Sequence, residues 1–253
     1  MNSNLQSVFK EFAELLNNRF KTGIFTKEDA IRYTFFYSIC KNMFKPEDVI
    51  LEDRHPFLEG EKEIDMRIES SENSDELVFE FKYDVKRTSI SPKPYKAGKL
   101  FADIFRLEKF KSGYSSHSRC FLIYVTDFEL ADYMSKDENR LDDFFNLQEG
   151  KLLKINSEYI HNHSNTFVNE ASKYGITDCQ ILSCLSDVLA NDHFLRIYEV
   201  NGLNSEIEEK PKWDERYCML CGKVHKITQK KCPNCGTGNS EAEWYNEDGS
   251  IKS

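Results

Sequence analysis

Two neighbouring segments with period-two alternation constrain this chain more than any other feature: Glu61-Lys-Glu-Ile-Asp-Met-Arg-Ile-Glu69 and Glu76-Leu-Val-Phe-Glu-Phe-Lys-Tyr-Asp84. Alternate side chains of a β-strand share a face. Leu77, Phe79, Phe81 and Tyr83 therefore form one face, and Glu80, Lys82 and Asp84 the other. In the first segment Ile64, Met66 and Ile68 oppose Glu63, Asp65 and Arg67. Paired side by side, the strands would seat both apolar faces on a core. Asp65, Glu80 and Lys82 would then converge on the polar side. Two carboxylates could hold a hard divalent cation such as magnesium, and a lysine beside them would add positive charge where a phosphodiester's negative charge develops.

The chain has 253 residues, enough for one ordinary domain and a small appendage. It is 40% apolar with 19 Phe, which can build a sizeable core. No apolar run reaches the roughly 18 residues of a membrane span. The start, Met1-Asn-Ser-Asn-Leu-Gln, lacks the basic and apolar pattern of a secretory signal, so the expected location is cytoplasmic. A net charge of −9 argues against a general nucleic-acid coat. The charge is uneven, however. Residues 82–111 hold nine Lys or Arg against three Asp or Glu, and residues 210–231 hold seven against two. Each block either tracks phosphates or is a solvated face.

Residues 3–20 place Leu5, Val8, Phe9, Phe12, Leu15 and Leu16 at helical spacing. A second helix is expected after Thr26, with Thr26 and Asp29 as an N-cap pair. Extended segments follow near 48–54, 61–69 and 76–84. Pro92 and Pro94 open a helix to about Lys111, with Leu100, Ile104 and Leu107 as its buried stripe. Residues 119–126 read as a buried strand, so the helix between two strands predicts a parallel βαβ pair. Residues 128–175 should hold two or three helices and 176–200 one or two strands. The polar stretch 201–212 reads as a linker.

This order of helix, strands, Asp65, Glu80-x-Lys82, helix and strand resembles the PD-(D/E)XK, or restriction-endonuclease-like, nuclease superfamily over roughly residues 26–126. The resemblance implies an α/β fold, a mixed central sheet flanked by helices. It implies Asp65 and Glu80 as ligands of Mg2+ (or Mn2+), the Phe81 carbonyl as a third ligand, and Lys82 as the catalytic lysine. Glu28 is the natural candidate for the acidic residue that many members carry on a preceding helix, with Glu52 second. On the following helix Lys99, Lys96, Asp103 or Arg106 would face the site. Ile64 stands where the eponymous motif has Pro, and the helix has no Gln, which leaves the subfamily open.

The eight cysteines fall into two groups. Cys40, Cys120, Cys179 and Cys184 sit singly among apolar residues and read as small buried hydrophobes. Cys218-Met-Leu-Cys221-Gly222 and Cys232-Pro-Asn-Cys235-Gly236 are separated by ten residues. Two such pairs make a tetrahedral four-thiolate Zn2+ site with no open position, hence structural. This resembles a zinc ribbon. Its basic residues, Lys223 and Lys226 among them, either contact DNA or leave the module to hold a protein partner. The tripeptide His161-Asn-His163 spells HNH, but that nuclease motif is spread over a ββα unit. His55, before Pro56, reads as a turn residue.

The expected organisation is a nuclease-like domain over 1–200, a linker over 201–212, and a ribbon with its tail over 213–253. The expected activity is Mg2+-dependent endonucleolytic cleavage of DNA, in bacterial restriction or defence as the resemblance implies. Lys93, Lys96, Lys99 and Arg106 would track the DNA backbone. A homodimer would supply the two active sites that cutting both strands usually needs. No membrane partner is expected. The alternative is a non-catalytic adaptor for nucleic acid or protein, acting through the ribbon.

Overall fold

The computed structural model describes residues 3–56, 58, 63–69, 75–86, 91–114 and 118–202, and the backbone of 215–217 and 224–226. The chain divides into two compact units, Met1–Leu203 and Asn204–Ser253.

The first unit opens with two helices, α1 (Ser3–Lys21) and α2 (Glu28–Asn42). α1 buries Leu5, Val8, Phe9, Phe12, Leu16 and Phe20, the apolar stripe its spacing dictates. α2 begins differently from the expected cap. Lys27 is its N-cap and makes no side-chain cap bond. Thr26 instead accepts from Arg19 Nε at 3.0 Å and donates to the Ile24 carbonyl at 3.0 Å. The acidic first turn of Glu28 and Asp29 still suits the helix dipole.

The three extended segments fold as β1 (Val49–Arg54), β2 (Glu63–Ile68) and β3 (Glu76–Asp84). A long helix, α3 (Lys93–Tyr114), crosses to β4 (Ser118–Asp127), which lies parallel to β3 in an unbroken register from Glu76↔Ser118 to Asp84↔Thr126. This is the expected βαβ unit. Beyond it come α4 (Phe128–Met134), α5 (Asp142–Phe145), β5 (Leu152–Ile155), α6 (Ser157–His161) and α7 (Asn165–Ala171). Two long strands follow, β6 (Cys179–Leu189) and β7 (His193–Gly202). β7 thus runs into the stretch read as linker. β5 was not expected: four residues are too few for a pattern to declare itself.

The seven strands make one sheet in the order β1-β2-β3-β4-β7-β6-β5. Only the central β3–β4 pair is parallel, and every other pair is antiparallel. Both faces of this mixed sheet are covered. α1 and α2 pack on the face carrying Met66, Ile68, Phe79, Phe81, Phe121, Ile123 and Ile197. α3 and the later helices cover the face carrying Val78, Leu122, Tyr124, Tyr198 and Val200. The polar side of β3 is therefore no solvent face. Glu80 lies beneath α3, with 1% of its surface exposed.

Two contacts seat the helices on the two faces of the sheet. Phe35 of α2 packs its ring 4.8 Å from that of Phe79 and 5.4 Å from that of Phe81. Burying an aromatic ring of this kind stabilises by roughly 1.5–3 kcal/mol. On the other side Gly98 lets α3 approach α7, since a Cβ there would meet the Phe167 carbonyl oxygen at 2.6 Å.

β2 departs from the expected single apolar face. Met66 and Ile68 join the core under α1 and α2, but Ile64 joins the core under α3. β2 pairs with β3 only through Met66–Ile68, and Asp65 is the first residue past that ladder. In the second unit β8 (Glu215–Tyr217) and β9 (Val224–Lys226) form an antiparallel pair. Cys218, Cys221, Cys232, Cys235 and Lys223 lie outside the described residues, as does the side chain of Lys226.

Candidate active site

The separation of β2 from β3 builds the site. Past Phe79 the backbone donors of β3 on that side have no strand partner, and a buried N–H needs one. Two carboxylates take them. Asp65 Oδ2 accepts from the Phe81 N–H at 2.7 Å, and Glu28 Oε2 accepts from the Tyr83 N–H at 2.9 Å. Asp65 arrives from β2 and Glu28 from the first turn of α2. Both are thus pinned to alternate residues of β3. In a strand the N–H and C=O of one residue point to the same side, so the Phe81 carbonyl shares this side with Asp65.

Glu80 and Lys82 project from β3 under α3, where Asp103 and Arg106 stand one turn apart. Arg106 Nη2 pairs with Glu80 Oε2 and lies 3.4 Å from Asp103 Oδ1. Across the site Arg32, one turn after Glu28 on α2, gives Nη2 to Asp65 Oδ1 at 2.6 Å and Nη1 to Glu52 Oε1 at 2.9 Å. Glu52 reaches it from a left-handed backbone position on β1, φ 54°, and is otherwise exposed. Arg32 was not foreseen, although its four-residue offset from Glu28 puts both on one helix face.

The electrostatics are those of a crowded acidic centre. Burial pushes Glu80 well above the ordinary carboxylate range; Asp65 and Asp103 push the same way, and Arg106 opposes them. Burial likewise raises Asp103 against Arg106 and Lys82. It raises Glu28 against Lys82 and the Tyr83 N–H, and Asp84 against Lys82 and Lys96. Burial works against the charge of Lys82. Asp103, Glu28, Asp84 and Asp65 together outweigh it and hold that lysine more firmly protonated than usual. Several buried polar atoms have no hydrogen-bond partner: Glu80 Oε1, Asp84 Oδ2, and the Nε of both Arg32 and Arg106.

Asp65, Glu80, Lys82 and Glu28 are thus brought together. Among the described residues no group of three or more His, Cys, Asp or Glu is placed to hold a metal ion. The donor set that a hard divalent cation could use is Asp65, Glu80 and the Phe81 carbonyl. Magnesium takes one or two carboxylates and keeps several waters, and Glu80 offers a buried, unpartnered oxygen, so these residues fit.

The basic residues expected on DNA separate into two kinds. Lys96 is buried, and its Nζ donates to the Val85 carbonyl at 2.9 Å. Arg106 belongs to the carboxylate cluster. Lys93 and Lys99 are partly exposed, Lys99 with its Nζ 4.7 Å from the centre of the Tyr95 ring. His55 is buried, its Nε2 3.1 Å from the Arg106 carbonyl oxygen, so it braces α3. His163 is tied to the Arg140 carbonyl at 3.0 Å. Cys120, Cys179 and Cys184 are buried and Cys40 partly so. No helix among the described residues is long and apolar enough to cross a membrane. Comparison of the chain with protein families, with curated proteins and with solved structures finds no match.

Proposed function

We propose that the first unit is a magnesium-dependent endodeoxyribonuclease of restriction-endonuclease-like architecture. The observation that carries this reading is the convergence of Asp65, Glu80 and Lys82, from two parting strands, on one buried polar centre. Asp65, Glu80 and the Phe81 carbonyl would hold Mg2+ or Mn2+. When bound, the ion supplies a water of lowered pKa and neutralises the scissile phosphate. The chain's own residues do the rest. The Phe81 N–H fixes the orientation of Asp65. Lys82, kept cationic by its acidic neighbours, adds positive charge where negative charge develops on the phosphoryl oxygens. Glu28, anchored on the Tyr83 N–H, limits where the Lys82 ammonium can sit. α3 excludes bulk water from Glu80, which strengthens every interaction there.

The second unit we read as a four-cysteine Zn2+ ribbon. The cysteine spacing supports it, and so does the β8–β9 pair, which flanks Cys218 and Cys221. Lys93 and Lys99 of the first unit would contact DNA, and so, independently, would Lys223 and Lys226 of the second. A second reading, a non-catalytic adaptor, is favoured by one observation: guanidinium groups already pair with both ligand carboxylates. Purified protein incubated with plasmid DNA and Mg2+ separates the two. Cleavage that is lost in Lys82→Ala supports the nuclease. Binding of DNA or protein with no cleavage under any divalent cation supports the adaptor.

A further inference from the structure

Arg32 and Arg106 hold the two ligand carboxylates from opposite helices, yet neither has all of its buried donors satisfied. Arg119 offers a contrast elsewhere on the same sheet. Its Nε and Nη2 grip both oxygens of Glu199 at 2.8 Å each, the two-toothed fork that gives an arginine–carboxylate pair its strength. Arg32 instead splits its two terminal nitrogens between Asp65 and Glu52. Arg106 reaches both Glu80 and Asp103 through Nη2 alone. Each leaves its Nε buried without a partner, and Arg32 is only 8% exposed. Glu80 Oε1 is orphaned in the same centre. Buried donors cost free energy when unsatisfied, so two unpartnered Nε–H groups beside one polar centre point to an acceptor that binds there.

Resting on the nuclease reading, we infer that Arg32 and Arg106 are a phosphate clamp. They neutralise Asp65 and Glu80 in the metal-free protein and turn to a DNA phosphodiester when a divalent cation takes those carboxylates. A dication on those carboxylates would part the guanidinium groups from them, while Glu52 still holds Arg32 and Asp103 still neighbours Arg106. Each displaced guanidinium would then have further N–H donors to fill, its buried Nε among them. A phosphodiester brings acceptor oxygens, two of them non-bridging and spaced to meet the planar fork of a guanidinium. Cation and DNA should therefore strengthen each other's binding, by the same factor in either direction.

The test is calorimetric titration of the full chain with Mn2+ at mildly alkaline pH, with and without a DNA duplex bearing cleavage-resistant phosphorothioate linkages. In the wild type, Mn2+ should tighten DNA binding by about tenfold, within the usual range for coupled sites. In Arg32→Gln and Arg106→Gln, Mn2+ alone should bind several times more tightly, because its cationic competitor is gone. Its tightening of DNA binding should fall to within about twofold. Arg32→Lys and Arg106→Lys keep the charge and serve where the Gln variants do not fold. They should bind Mn2+ as the wild type does but lose most of the coupling, for want of the planar fork. Folded Gln or Lys variants with undiminished coupling would overturn the clamp and leave the nuclease reading standing. A wild-type protein that binds no Mn2+ would sink the nuclease reading and the clamp together.

Discussion

Two residues apart on β2, Asp65 and Arg67 belong to clusters of the same chemistry and opposite character. Around Arg67 the strands are in register, Arg67 opposite Ile50 on β1 and Val78 on β3. Its three nitrogens each take a different acid: Nε binds Glu76 at 2.6 Å, Nη1 binds Asp53 at 2.5 Å and Nη2 binds Glu69 at 3.2 Å. The Ser118 hydroxyl completes Glu76. Among the described residues no buried side-chain atom of Arg67, Asp53, Glu69 or Glu76 lacks a partner. Around Asp65 the strands have parted, four buried polar atoms are orphaned, and Glu28, Glu80, Asp84 and Asp103 are all held toward protonation by burial. A satisfied ion-pair cluster stitches strands. An unsatisfied one, with several acids pushed from their ordinary range, has the character of a binding or catalytic centre.

The largest contrast should appear in activity. Asp65→Ala and Glu80→Ala should each cut DNA cleavage by more than about a hundredfold, beyond the 10–100-fold typical of losing a residue that only supports a metal ligand. Both should melt as folded proteins in circular dichroism. Normal melting with wild-type cleavage would dissolve the distinction between the clusters. Stability should separate them next. Arg67→Ala strands the buried Glu76 and should cost about 3–5 kcal/mol in chemical denaturation, as breaking a buried pair does. A loss under about 1 kcal/mol, the scale of a surface pair, would mean that Arg67 stitches nothing.

A subtler difference lies in pH. Because the folded-state pKa of Glu80 is raised, its contribution to stability is fully present below the ordinary value of a free glutamate and is lost as pH rises through the folded value. Gln cannot ionise. The melting temperature of metal-free Glu80→Gln, relative to wild type, should therefore climb as pH rises above the ordinary carboxylate range. A difference that is flat with pH would refute the buried-acid account. The smallest effects belong to α3. Lys93→Gln and Lys99→Gln should each flatten the salt dependence of DNA binding by about one unit of slope. Lys96→Met should leave that slope alone and lower stability by about 1 kcal/mol, since it removes the buried hydrogen bond from the ammonium to the Val85 carbonyl.

Much of this was legible in the chain. The alternation in 76–84, the helix opened by Pro92 and Pro94, and the short apolar run before Asp127 together fixed the central β3-α3-β4 unit. Local patterns record burial, and this unit is built from consecutive elements. The site was legible as far as Asp65, Glu80, Lys82 and Glu28. Arg32 could have been found from its spacing to Glu28. Lys96 could not have been told from Lys93 and Lys99 by composition, because what separates them is a single carbonyl, that of Val85, within reach of one ammonium.

Residue order alone settled which side chains share a strand face or a helix face, because those periods are properties of the backbone. It placed the acids and the lysine on elements able to meet. Where β2 leaves β3 was decided only in three dimensions, for that depends on the twist and packing of the whole sheet. From that parting follow the free Phe81 and Tyr83 N–H groups, the carboxylates that take them, and the two arginines drawn in from α2 and α3. None of these contacts joins neighbours in sequence. A long-range contact leaves no period behind, so only the folded chain reveals it.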